Sequence, residues 1–418
     1  MSLAACEGPL RKCRPHHLHA DGEMTNVKKE GVEGSSLRSE LVAKAAKIGA
    51  EFAAPNAAAV DRDARFPTEA IEALRKEKMM SVFVPTAFGG GGCSISDLSA
   101  VCYTLGLSCS ATAMVYAMHQ IQVACIVRHG QSSPFFQQYM RDLAAKETLI
   151  ASATSEVGVG GDVRTSICAV ETTGATFKLE KNAPVISYGE HADDILVTAR
   201  RAPDAASNDQ VSVLVRRDAG TLERTGGWDT LGMRGTCSNG YKLKSSGNIE
   251  QILPAGYGEI SSNTMLPVSH IVWTSLWLGI ASDAVNRARQ FIRGEARKKP
   301  GHVPPGALRL AEAMNHLQTM RATVHDGVHE YERLIDDPDA LTGIGFAIKM
   351  NMLKVSASQL AVEIASEALS ICGMAGYKSD SKFSVGRHVR DAYGAMLMIN
   401  NDRILAANAQ LLLVHKEE

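Results

Sequence analysis

The run Ile150-Ala151-Ser152-Ala153-Thr154-Ser155-Glu156-Val157-Gly158-Val159-Gly160-Gly161-Asp162-Val163, closed downstream by Pro184-Val185-Ile186-Ser187-Tyr188-Gly189, organises the chain. A strand-like start of apolar and small residues gives way to a turn carrying Gly158, Gly160 and Gly161. Glycine lets main chain approach a flat or anionic ligand, since no Cβ intrudes and positive φ carries no penalty. Thr154 and Ser155 add hydroxyls where the strand would end. Taken alone, the same turn reads equally well as a tight connection between strands.

Working outward, 418 residues are too many for one ordinary core and suggest two or three domains. Hydrophobic residues at 45% and charged residues at 21% place the chain among soluble globular proteins. A formal net charge of -1 leaves no footprint for nucleic acid or an anionic membrane. The nine cysteines are odd in number, scattered and free of any CxxC pair, so neither a disulfide framework nor a metal site is signalled. A reducing compartment fits, and a cytoplasmic location is expected. The most apolar window, Ile271 to Ala281, contains Thr274 and Ser275 and is too short to span a bilayer. No long apolar region marks a secretory signal at the N-terminus.

Residues 1–36 mix Pro, Gly, His and charge without periodicity and read as a disordered tail; His16, His17 and His19 fall there. From Leu37 the pattern is helical, with Leu41, Ala45, Ile48 and Phe52 on one face. Phe66-Pro67-Thr68 opens another helix, Val82-Phe83-Val84-Pro85 reads as extended, and helices resume over 94–107, 111–129 and 135–145. Residues 148–262 turn to β texture, with strands at 194–199 and 210–215 and a hairpin pairing 166–171 with 176–180 across Thr173-Gly174. Beyond 263 the sequence is helical to the end, over 271–293, 308–331, 346–371 and a last helix at 393–414. The expected organisation is a helical domain at 37–147, a central β domain at 148–262 and a helical bundle at 263–418.

This order of domains and motifs resembles the acyl-CoA dehydrogenase superfamily of FAD proteins from about Leu37 onward. Val84-Pro85-Thr86-Ala87-Phe88-Gly89-Gly90 is similar to the family's Val-Pro-x-x-x-Gly-Gly turn. Met118-His119-Gln120 sits where the family often carries a His in the helix lining the acyl cavity. Ser155 to Val163 looks like its Thr-Glu-Pro-x-Ala-Gly-Ser-Asp flavin motif, and Val185-Ile186-Ser187 matches its Trp-Ile-Thr strand. Gly232-Met233-Arg234-Gly235-Thr236 matches a Gly-Met-Arg-x-Ser/Thr turn. Cys372-Gly373-Met374-Ala375-Gly376-Tyr377, with Arg387 and Arg390-Asp391, is similar to the signature near the family's C-terminus.

The resemblance implies an α+β multi-domain fold: an N-terminal helical domain, a central β-barrel-like domain and a C-terminal four-helix bundle. It implies FAD held at Thr154, Ser155, Gly160 and Gly373, with Ser187 near the N5/O4 edge of the ring. Arg297 falls where the family places an arginine on a partner subunit's FAD pyrophosphate, so a homodimer or homotetramer is implied. Gly161 and Ser269 fall at substrate-contacting positions. The implied activity is α,β-dehydrogenation of an acyl thioester, carried by CoA or a carrier protein, with an electron-transfer flavoprotein or another acceptor.

The chain departs from the family at the base. Removing an α-proton needs a positioned base, since even an activated C–H is weakly acidic at neutral pH. The family's usual Glu after the Arg-Asp pair falls on Ile399, and the alternative Glu position falls on Ser269. The remaining candidates are His270 and His119, then Asp402 and Glu367. Val185 stands in place of a tryptophan, Gly161 in place of a serine, and Pro267-Val268-Ser269-His270 in place of Asp-x-x-Arg. A flavin monooxygenase of the same fold, needing no α-carboxylate base, and a non-catalytic flavin-binding scaffold are the competing readings.

Overall fold

The computed structural model describes residues 30–416, so His16, His17 and His19 lie outside the described residues. The first helix, α1 (Glu30–Ile48), opens inside the stretch expected to be disordered and runs through a π turn into α2 (Ala54–Arg62). Next come α3 (Thr68–Lys76), α4 (Ile95–Gly106), α5 (Ser110–Gly130) and α6 (Pro134–Lys146). Helix α4 starts where it does because Ser94 and Asp97 form a capping box, each satisfying a main-chain N–H of the first turn. Val82 to Pro85 is a turn rather than an extended stretch, folded so tightly that a Cβ on Gly90 would sit 2.2 Å from the Val84 carbonyl.

Two open sheets follow, with no closed barrel among the described residues. Strand β1 (Ile150–Ala153) pairs in parallel with β4 (Asp194–Arg200), which pairs antiparallel with β5 (Gln210–Arg216). The second sheet runs β2 (Glu171–Thr173), β3 (Thr176–Ala183), β7 (Gly240–Asn248) and β6 (Gly220–Gly226). The hairpin turns at Gly174 as expected, although β2 begins at Glu171 rather than Ser166. Strands β4 and β5 are buried almost throughout, whereas β3 alternates exposed and buried. That alternation is the period-two signature of a one-sided sheet, and it points Lys181 into the core.

The C-terminal bundle is built on α8 (Leu266–Lys298), entered from α7 (Tyr257–Ile260), with α9 (Ala307–Leu334) packed alongside. After α10 (Pro338–Leu341) come α11 (Ile344–Cys372), α12 (Met374–Tyr377), α13 (Gly386–Leu397) and α14 (Asn401–Leu412). Helix α8 packs on α4, α9 and α11 at once, which explains its all-round burial from Pro267 to Ser282. Trp277 is wholly enclosed there. Helix α5 and the segment from Tyr257 to Lys298 are long and apolar enough to cross a bilayer. Yet 94% of each apolar window is buried inside the protein, as in core helices. The single helix expected over 393–414 is two helices, broken at Met398-Ile399-Asn400. Ile399 adopts φ 45° there, and the Asn400 side chain caps α14 by accepting from the Asp402 N–H.

Candidate functional site

The glycine-rich turn leaves the end of β1 and is held from below by Glu156. That carboxylate is buried and accepts from the Ser166 hydroxyl at 2.6 Å, the Cys168 N–H at 2.6 Å and the Ile167 N–H at 3.1 Å. Lys181 reaches it from β3 at 3.4 Å while also donating to the Thr198 carbonyl at 2.7 Å. Burial pushes the Lys181 ammonium below its ordinary range, and the Glu156 charge opposes that shift. The loop therefore hangs from a buried ion pair whose remaining valences are filled, the condition under which such a pair is tolerated.

Above this clamp the turn is open. Gly158, Gly160 and Gly161 all have positive φ, and nothing lies within 4 Å of where a Cβ on Gly160 would stand. Thr154 is tied to Ser152 at 2.9 Å, and Ser155 donates to the Val185 carbonyl at 3.2 Å. Val185-Ile186-Ser187 is a turn after β3, not a strand. Ser187 begins a row of hydroxyls: 2.7 Å to Ser238, then 2.8 Å to Thr236, whose hydroxyl donates to the Met233 carbonyl at 2.9 Å. A carbonyl only accepts, so satisfying all three contacts makes Thr236 donate to Met233, Ser238 to Thr236 and Ser187 to Ser238. Ser187 is left with free lone pairs and, in this arrangement, acts as an acceptor toward a ligand. Tyr188, Met233 and Cys237 around this row all have positive φ, a concentration of costly backbone that surrounding structure must enforce.

An open cradle of main chain with one acceptor hydroxyl, Ser187, at its side admits a flat ring that carries an N–H, so the residues present fit a flavin through its N3–H and not through N5 or O4, which only accept. Gly373 stands apart, exposed at the α11–α12 junction with φ 55° and open space before it. Arg297 lies in the exposed last turn of α8, and no ion pair engages it among the described residues. Both belong to the bundle rather than to the turn.

The two other motifs lock domains together. A Cβ on Gly232 would sit 2.2 Å from the Arg390 carbonyl, and the Met233 N–H donates to Asp391 at 2.7 Å. Arg390 forks onto Asp61 at the end of α2, while Arg234 donates to the Asp61 carbonyl at 2.9 Å. This junction joins the N-terminal helices, the β domain and α13. It makes the fold and meets the cradle at Met233, whose carbonyl ends the Ser187 row.

Among the candidate bases, His119 is corrected by its surroundings. It is fully buried, with Nε2 2.8 Å from the Met80 carbonyl and Nδ1 accepting from the Ile150 N–H at 3.0 Å. Both ring nitrogens are spent on bracing β1 against the turn after α3. His270 differs: Nδ1 lies 2.9 Å from the Met350 carbonyl, and Nε2 is buried without a partner. The carbonyl fixes the proton on Nδ1, so Nε2 carries the lone pair. Burial pushes both histidines down to about 4. Ser269 is buried and donates back to Met265 within its own helix, away from any open surface. Glu367 pairs with His316 at 2.9 Å between α9 and α11, and Asp402 is exposed at the start of α14.

Four residues were not anticipated: Lys181, Ser238, Lys354 and Arg403. Lys181 had a readable signal, a charged residue on the inward phase of an alternating strand. Arg403 donates to the Gly160 carbonyl across the whole β domain and C-terminal bundle, a contact no local pattern announces.

Comparison with known proteins agrees with this architecture. Residues 37–147 match the family described as acyl-CoA dehydrogenase, N-terminal domain, and residues 258–398 match acyl-CoA dehydrogenase, C-terminal domain. A cyclohex-1-ene-1-carbonyl-CoA dehydrogenase from Geobacter metallireducens is 24% identical over 81% of this chain and 88% of its own. A short-chain specific acyl-CoA dehydrogenase of Clostridium acetobutylicum is 22% identical over 81% and 87%. Among solved structures, FMN-bound TdsC from Paenibacillus sp. A11-2, also described as a dibenzothiophene monooxygenase, superposes with TM-score 0.80 at 17% identity over 91% of this chain and 98% of that one. Butyryl-CoA dehydrogenase from Megasphaera elsdenii gives 0.75 at 18% identity over 94% and 100%.

Proposed function

The chain belongs to the acyl-CoA dehydrogenase superfamily of flavin-dependent oxidoreductases acting on CH–CH groups, and from that premise we propose that it dehydrogenates an acyl thioester using FAD and a relocated base. The observation that carries the reading is the open glycine turn joined to the Ser187 row, a surface shaped for a flavin ring. A bound flavin supplies the hydride acceptor. The protein's own contribution is to hold the ring with main chain and hydroxyls, exclude water and remove the α-proton. His270 is the base of this proposal: it stands beside Ser269, where the family's alternative Glu falls, its Nε2 is a buried nitrogen with a free lone pair, as is Nδ1 of His388, and its tautomer is fixed by Met350. Its low proton affinity in the closed interior requires the substrate's approach to raise it, as an opposing negative charge would. The reading includes a homodimer or homotetramer in which Arg297 completes a neighbour's site, a CoA or carrier-protein handle, an electron-transfer flavoprotein as acceptor and a cytoplasmic setting.

A second reading, a flavin monooxygenase, is favoured by one observation: the α13–α14 break presents Ile399 where the family's carboxylate would be. TdsC shows that the fold accommodates such chemistry and FMN. An anaerobic titration with acyl thioesters separates the two. Bleaching of the flavin by thioester alone supports the dehydrogenase. Bleaching only by NADH or a reductase, followed by oxygen-dependent product, overturns it. Failure to retain any flavin overturns both and leaves the scaffold.

A further inference from the structure

Helices α9 and α11 pack against each other in the bundle, and three side chains meet at the edge of their seam. His316 projects from α9, while Glu363 and Glu367 stand one turn apart on α11 and so share a face of that helix. Nδ1 of His316 lies 2.9 Å from Oε1 of Glu367 and 3.8 Å from Oε1 of Glu363, and one ligand atom from each residue falls within 4.8 Å of the other two. Their chain neighbours Leu317, Ile364 and Ala368 are buried, so the core holds the backbone that carries the cluster. As an ion pair the cluster does not balance. Two carboxylates face one imidazole, which carries at most one positive charge, and no Lys or Arg pairs with either Glu among the described residues. Like charges four residues apart on a helix repel each other. Oε2 of Glu367 is also shut off from solvent, and no protein group among the described residues donates to it. A buried anionic oxygen in that position is costly unless a ligand engages it.

We propose that His316, Glu363 and Glu367 form a binding site for a divalent transition-metal ion, with Zn²⁺ the ion that the donor set suits. The site lies outside the flavin reading and does not depend on it. One imidazole nitrogen and two carboxylates are ligand types that zinc takes, at distances of about 2.0–2.2 Å. Two such bonds at about 90–109° hold their donor atoms about 3.0–3.4 Å apart. The observed separations of 2.9 Å and 3.8 Å bracket that range. Closure therefore asks for a side-chain rotation at Glu363, which is 53% exposed and free to make it. Binding through Nδ1 places the imidazole proton on Nε2. The nitrogen donor disfavours Mg²⁺ and Ca²⁺, which take oxygen ligands. Coordination through both oxygens gives the buried Oε2 of Glu367 its partner, and the ion offsets the second carboxylate. Water takes the remaining positions, and the bound ion braces α9 against α11. No local motif announces the site, since His316 and Glu367 are 51 residues apart.

The test uses the full chain, freed of metal, kept reduced and titrated with Zn²⁺ in competition with a chromophoric chelator, with circular dichroism confirming the fold of each variant. His16, His17 and His19 offer Zn²⁺ a rival set of nitrogens, so H16A/H17A/H19A is titrated beside the wild type and should keep the site. H316A is expected to weaken binding at least about tenfold, since losing a group that only supports a ligand already costs about ten- to a hundredfold. E363Q and E367Q should each weaken it as well, and either serves if H316A fails to fold. Zn²⁺ should raise the thermal unfolding midpoint of the wild type and leave that of H316A in place, because only the folded bundle brings the three groups together. Mg²⁺ at the same concentration should do neither. Zn²⁺ binding that H316A and E367Q leave unchanged, or that disappears in H16A/H17A/H19A, overturns the site. So does a wild type that binds Zn²⁺ no better than H316A/E363Q/E367Q. None of these outcomes bears on flavin binding.

Discussion

The ammonium of Lys354 donates to the carbonyl of Ile399 at 2.9 Å and to the Asn401 side chain at 2.7 Å, pinning the break between α13 and α14 from inside the bundle. Asn401 in turn donates to Ser358 at 3.0 Å, so both ends of the break are fastened to α11. Lys354 is fully buried, no carboxylate contacts it among the described residues, and burial pushes its pKa down to about 8. In the unfolded chain it stays protonated to about 10.5. Between those values the folded state holds fewer protons, so stability rises with pH through that window, and the gain is lost as pH falls through 8. Denaturant unfolding of the wild type and K354M at pH 7 and pH 10 should show the difference moving in favour of the wild type at the higher pH. A pH-independent difference would contradict the buried charge.

Buried histidines predict the opposite flank of the profile. His119, His270 and His388 are each pushed down to about 4, chiefly by burial, against an ordinary 6.5. The unfolded chain takes up these protons first, so stability falls as pH drops from 6.5 toward 4. H119A should flatten part of that slope. It should also cost about 1–3 kcal/mol near neutrality, by leaving the Ile150 N–H unpaired, while the Met80 carbonyl keeps its bond from Gln120. Flavin reduction per folded molecule should be unchanged in H119A. Loss of reduction with stability retained would restore His119 as a catalytic group.

Much of the fold was legible because its signals are local. Periodicity located α4, α5, α6, α9 and α11 to within a few residues, and β-branched runs located β4 and β5. The last helix was misread because apolar residues run from Ala395 through Ile399 without Pro or Gly. The signal that was there, Asn400-Asn401, is a capping pair, and a left-handed Ile399 needs the buried Lys354 to hold it. Strand β7 has a readable alternation, Tyr241 and Leu243 inward with Lys242 and Lys244 outward, whereas β6 has no fully buried residue and offers no such signal. In the site, the glycine turn and Ser187 were readable from their motif. Arg403 over Gly160 was not, since that contact spans 243 residues and exists only once the β domain meets the bundle.

The clamp beneath the turn gives a third expectation. E156Q removes the charge that balances Lys181 and weakens the hold on Ser166, Ile167 and Cys168. Breaking one side of a buried pair costs about 3–5 kcal/mol. Limited proteolysis should therefore cut E156Q within 157–167 faster than the wild type, with flavin affinity falling in parallel. The double variant E156Q/K181M, which leaves no orphaned charge, should recover much of the global stability without recovering flavin affinity. Recovery of both would mean that the ion pair supports the fold alone and does not shape the turn.

Ile399 offers the test that adds a function. Its side chain is 41% exposed at a break already fastened by Lys354, so a carboxylate placed there stays partly solvated and asks little of the core. The backbone at φ 45° is strained for Ile and no better for Glu, so I399E should leave stability within about 1 kcal/mol, the scale of a surface exchange. A positioned carboxylate contributes on the order of a hundredfold or more as a general base when its reach is right. Thioester-driven flavin reduction under anaerobic conditions should therefore rise at least about tenfold in I399E and remain at the wild-type rate in I399Q. The increase should persist in I399E/H270A, since the new base bypasses the imidazole, whereas H270A alone should lose the wild-type rate. An I399E protein that binds flavin yet shows no thioester-driven reduction would mean that the substrate is not an acyl thioester, and would move the chain to the monooxygenase reading.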